Sequence, residues 1–173
     1  MWGIGSAADL VSLISNVGVV VTVALGVITY LDQIKQLERN AAFEFSTRLN
    51  QGDLLSIQRR LSVELSKLQL GQFEGIALQR STIAAMVEKL AETTKDQSLF
   101  EQDVITLISY FDEAQTCIEA GTCDPETLHK SIGEPAGRYA CLFLPYTSNL
   151  RDRYLLEGLG SGLARMIEYE KTC

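Results

Sequence analysis

Between Asp9 and Asp32 the chain runs for 22 residues, Leu10 to Leu31, without a single charged side chain. In a helix rising about 1.5 Å per residue this stretch spans roughly 33 Å, enough to cross a hydrocarbon core of about 30 Å. A transmembrane helix is therefore predicted. A cleaved signal peptide would have a shorter run of about 7–15 apolar residues, cations before it and small residues after it. Here no Lys or Arg precedes the run, and Tyr30-Leu31-Asp32 is a poor cleavage sequence, so an uncleaved anchor is expected.

The span has two unlike sides. At about 100° per residue, Ala8, Ser12, Ser15, Gly18, Thr22, Gly26 and Thr29 fall within one arc of about 120°, whereas Val20, Val21, Leu25, Val27 and Ile28 point elsewhere. Small residues let helix backbones approach closely inside a membrane, so Ser12, Ser15, Gly18, Thr22, Gly26 and Thr29 form a candidate helix-packing face. Trp2 and Tyr30 lie near opposite ends, where amphipathic rings anchor at the interfaces.

No Lys or Arg lies before the span, while Lys35, Arg39 and Arg48 follow it closely. The positive-inside rule then predicts an extracytoplasmic N-terminus, residues 1–9, and a cytoplasmic remainder. The apolar pattern Leu31, Ile34, Leu37, Ala41, Phe45, Leu49 carries the helical period out of the membrane, which predicts one helix from about Leu10 to Asn50. Residues 10–31 are its transmembrane part and 32–50 a stalk, followed by an α-helical soluble domain over 51–173.

Within that domain Asp53 is the expected N-cap of a second helix, and Ser81 of a third ending in the polar run Thr93 to Gln97. Gly71 and Gly75 bracket a break. Ser98 and Glu101 have capping-box spacing ahead of Val104, Leu107, Ile108 and Phe111, and Gly121 suits that helix's end. Asp124-Pro125 restarts a helix. Gly133 and Pro135 are read as a break and Pro145 as a stop. Ser148 then caps a helix through Leu159, and Gly160-Ser161-Gly162 precedes a closing helix. No strand-like alternation competes, so the fold class is all-α.

Residues 61–128 hold four basic and twelve acidic groups, which leaves no concentrated basic footprint for nucleic acid. Candidate chemistry is sparse. His129 is the single histidine, and no nucleophile elbow or phosphate-cradling loop occurs. Asp112, Glu113 and Glu119 are read as a solvated acidic face, for lack of a matching acidic helix or a Glu-x-x-His partner. Cys117, Cys123, His129 and Cys141 lack the tight knuckle spacing of zinc sites, so no metal and no cofactor are expected. In a cytoplasmic domain the thiols are expected to be reduced. An extracytoplasmic domain would instead let Cys117 and Cys123, which flank the Gly121 turn, close a small disulfide loop.

An N-terminal span, an amphipathic stalk, the helix Leu107-Ile-Ser-Tyr-Phe-Asp-Glu113, the restart Asp124-Pro125-Glu126-Thr127-Leu128, and Leu144-Pro145-Tyr146 followed by Leu150-Arg151-Asp152-Arg153 occur in that order. This layout resembles the bacterial membrane-anchored proteins catalogued as domain of unknown function 4760, most sharply over residues 104–155. The resemblance implies an anchored helical domain in the bacterial inner membrane, with no established activity to carry over. Glu113 and Arg151 lie at its more recognisable positions, where a structural ion pair between helices is expected. The function expected from these features is that of a non-catalytic accessory or assembly subunit docking on an integral membrane protein complex through the small face. The alternative is a membrane-tethered, self-associating sensor or effector in stress response or phage defence. In either case the bilayer and a membrane helix, or a homo-oligomer, are the partners.

Overall fold

The computed structural model describes residues 7–69, 78–169 and 173, with side chains from residue 18 onward. Helix α1 runs without interruption over Ala7–Leu49. It contains no proline and, past Gly26, no glycine, so nothing in the chain stops the ladder where the apolar stretch ends. At 43 residues it is roughly 65 Å long. The part from Gly18 onward is long and apolar enough to cross a membrane, and the apolar window within it is not buried by the rest of the chain. Among the described side chains of α1 the buried ones lie at its far end, Ala42, Phe45 and Leu49.

Helix α2 covers Gly52–Ser66, α3 Arg80–Thr93, α4 Gln97–Glu119, α5 Pro125–Tyr154 and α6 Ser161–Met166. These are six helices with no strand among the described residues, as the sequence predicts for an all-α chain. α5 is the central packing element, touching α1, α3, α4 and α6, while α4 also packs against α2, α3 and α6. The core is a single apolar cluster that includes Phe111, Phe143, Leu107, Ile132 and Leu163, so the stalk, α4 and α5 share one hydrophobic interior.

Several helix boundaries differ from the sequence reading, and each has a local cause. α2 is capped by Gln51 rather than Asp53, which sits in the first turn, where a carboxylate favours the helix dipole. α3 likewise starts from Gln79, with Ser81 inside its first turn. The break expected at Gly71 and Gly75 lies outside the described residues. The Ser98–Glu101 capping box does not form. Asp96 accepts the Leu99 N–H at 3.0 Å, and the Glu101 side chain turns into the core. Gly121 ends α4 with φ +66, and Asp124 caps α5 through the Thr127 N–H at 3.0 Å, both as predicted.

The largest departure is α5, which continues through Pro135 and Pro145 to Tyr154. Each interior proline costs about 3 kcal/mol in helix propensity. Against this, Leu128, Ile132, Phe143, Leu144 and Leu150 are all buried on its inner face, at about 1.5–3 kcal/mol each. Burial outweighs the two prolines, so neither the break at Gly133–Pro135 nor the cap at Ser148 exists. The helix stops at Leu155, in the left-handed region with φ +56.

Candidate functional site

The small-residue face is the first candidate. Along the described part of the span, a Cβ built on Gly18 or Gly26 meets no atom within 4 Å, so both positions are open to an approaching helix. The Thr22 hydroxyl donates to the Gly18 carbonyl at 2.8 Å, and the Thr29 hydroxyl to the Leu25 carbonyl at 2.9 Å. Both polar groups are thereby satisfied within α1, leaving a face that lipid or a helix can cover without an unpaired donor. Ser12 and Ser15 belong to the same helix, but their side chains lie outside the described residues.

A clamp joins the stalk to the domain. The Tyr110 hydroxyl donates to the Phe45 carbonyl at 2.5 Å, and burial pushes this phenol far above its ordinary range, which keeps it a donor. Arg48 makes a two-armed bond to Glu113, 3.2 Å on each arm, and stacks over the Phe45 and Tyr110 rings at 5.5 and 5.9 Å. The Asp124 N–H reaches the Glu38 carbonyl at 3.1 Å. The expected Glu113–Arg151 pair is therefore not formed. Glu113 is taken by the stalk, and the Arg151 Nε donates to the Leu159 carbonyl at 2.8 Å, holding the turn after α5.

The acidic face predicted on α4 is likewise divided among structural partners. Asp112 accepts the backbone N–H groups of Gly160 and Leu163 at 2.6 and 2.7 Å. Glu119 pairs with Arg165 at 2.8 Å. His129 lies within 2.7 Å of the Pro125 carbonyl through Nδ1 and 3.1 Å of the Met166 carbonyl through Nε2, joining α5 to the end of α6. Among the described residues no group of three His, Cys, Asp or Glu side chains could hold a metal ion.

Comparison with family models, with curated proteins and with solved structures gives no match.

One feature escaped the sequence reading, and a second was read only in part. Glu101 is 1% exposed and accepts from Gln97 at 2.9 Å, from the Tyr146 hydroxyl at 3.1 Å, from the Tyr154 hydroxyl at 2.5 Å, and from Arg153. Loss of water pushes its carboxyl up and is the largest single influence. The donors, led by Tyr154 and Gln97, together overcome it and hold the carboxyl below the usual range. The sequence did carry a signal. Glu101 shares the helical register of Val104, Ile108 and Phe111, where an acid lies in the core rather than at a cap. Near it a cleft of about 420 Å³ opens between α2 and the start of α4, floored by Leu61 and Phe100 and crossed by the Arg60–Asp103 ion pair at 2.7 Å. The carboxylates that line the cleft are already engaged: Asp103 with Arg60, Glu64 with Lys67, and Asp96 with the Leu99 N–H.

The second feature is covalent. Cys117 is bonded to Cys123, and Cys141 to Cys173, so no cysteine is free. The expectation of reduced thiols is overturned. The first bond closes the turn at Gly121. The second ties Cys173 back to the middle of α5.

Proposed function

We propose that this chain is a single-span membrane protein that works without catalysis, by docking α1 against another helix in the bilayer and holding a helical domain beside it. The observation that carries the reading is the open, self-satisfied face at Gly18, Thr22, Gly26 and Thr29. It is joined to the lack of convergent catalytic chemistry among the described side chains. The test is native-gel migration of the full chain solubilised in mild detergent, beside a variant with Gly18→Leu and Gly26→Leu. The wild type is expected in an assembly larger than the monomer, and the variant is expected to lose it. Equal migration of the two would overturn the docking model.

Two signals bear on the side of the membrane, and they oppose each other. Lys35, Arg39 and Arg48 favour a cytoplasmic domain, but the cations are few. Pairing of all four cysteines favours an oxidising compartment, because cytosolic thiols are kept reduced. We give the disulfides the greater weight and propose an extracytoplasmic domain with the N-terminus in the cytoplasm, the reverse of the cation-based expectation.

A further inference from the structure

The side of the stalk turned away from the domain continues the line of the membrane face. From Thr22, steps of four and three residues lead through Gly26 and Thr29 to Gln33, and then through Gln36, Asn40 and Phe43 to Thr47. The spacing is that of a heptad, with Gly26, Gln33, Asn40 and Thr47 at a positions, and this seam is small or polar throughout except at Phe43. Its stalk half is exposed, with Phe43 57% accessible, and lies roughly opposite the buried Ala42, Phe45 and Leu49. The chain's own domain therefore leaves the seam uncovered along its whole length.

We propose that a second copy of this chain covers it, forming a parallel two-stranded pair. The inference rests on the proposed membrane-helix docking and names its partner. Membrane insertion points every copy the same way, so in a two-fold pair each seam residue meets its own counterpart. Any charge on the seam would face a like charge. Asp32, Lys35, Glu38, Arg39, Glu44 and Arg48 all fall off it. Gln33, Gln36 and Asn40 carry amides that both donate and accept, so each can bond to its own copy. An Asn at one a position fixes register and favours two strands.

The flanks supply the charge complementarity. Arg39 is at a g position and Glu44, five residues on, at the following e position. That is the offset at which g of one helix meets e of its parallel partner. Both are exposed, and neither makes an ion pair among the described residues. A two-fold pair would form the Arg39–Glu44 contact twice.

The experiment uses the full chain in nanodiscs at low protein-to-lipid ratio. A photo-crosslinking residue is placed at Asn40, on the seam, or at Lys35, on the far side of the stalk. Crosslinked dimer is expected at position 40 in several-fold excess over position 35. In fluorescence energy transfer between labelled copies, R39E and E44R should each weaken pairing several-fold at low salt, and the double reversal should restore it. Arg39 acts on Asp124 and Glu44 on Arg48 within the same chain, so a thermal melt of each variant checks that the fold is kept. Equal crosslinking at both positions, or no rescue by the double reversal, would overturn the pairing. If Gly18→Leu with Gly26→Leu releases a different membrane protein while position 40 yields no dimer, the docking function stands and the second copy is wrong.

Discussion

Replacing Glu101 by Gln tests how the end of α5 is held to α4. The substitution keeps size and one acceptor but removes the charge that receives Tyr146, Tyr154 and Arg153. A hydrogen bond to a charged acceptor contributes about 1.5–3 kcal/mol and a neutral one about 0.5–1.5, so each tyrosine bond loses about 1 kcal/mol. The Arg153 side chain is 42% exposed and can solvate its charge, so its loss adds about 0–1 kcal/mol. The total is about 2–3 kcal/mol, which in a domain of this size lowers Tm by about 10 °C. The sign with pH follows from the depressed carboxyl. Its contribution is complete above the unfolded value of about 4.3 and is lost as pH falls through the lower folded value. The gap between wild type and E101Q should be full at pH 7 and close in strong acid. Thermal melts followed by near-ultraviolet dichroism, from pH 7 down to pH 2.5, measure both. A Tm unchanged at pH 7, or a gap that stays constant into acid, would refute the assignment of Glu101 as an ionised core anchor.

Gly162→Ala would place a Cβ 2.8 Å from the Asp112 Cα, a backbone atom that cannot move aside alone. Overpacking of this kind costs about 1–3 kcal/mol, read as a lower urea midpoint, whereas Gly158→Ala, which meets nothing within 4 Å, should be nearly neutral. For the disulfides, peptide mapping without reduction should recover Cys117 joined to Cys123 and Cys141 to Cys173, and free thiols at these positions would reject the oxidising placement. Replacing Cys141 and Cys173 together by Ser opens a loop of 32 residues, which by chain entropy costs about 4 kcal/mol, against about 2 for the short Cys117–Cys123 loop.

Much of the architecture was legible because it depends on neighbours in sequence. The unbroken α1, the stop at Gly121 and the Asp124-Pro125 restart each rest on residues a few positions apart. What failed depended on contacts between distant segments. Pro135 and Pro145 are helix breakers by local rule, and only the packing of α5 against α1, α3 and α4 overrides that tendency. Arg48 and Glu113 are 65 residues apart, and nothing local selects that partner over Arg151. Cys141 and Cys173 pair only because Cys173 returns to α5. The proposed membrane face rests on residue size alone, and the proposed seam on which side of the stalk is buried.

On the proposed single-span reading, the unbroken α1 makes bilayer thickness a mechanical input to this molecule. A span of roughly 33 Å in a core of about 30 Å is accommodated by tilt, and a thinner membrane calls for more. A flexible tether between anchor and domain would absorb such changes. Here Phe45 and Leu49 belong at once to α1 and to the domain's interior, so the domain would lean with its anchor. A change in tilt of about 10° carries the far end of the rod sideways by roughly 11 Å. Lipid composition would then set which surface of the domain faces the membrane and how high it stands.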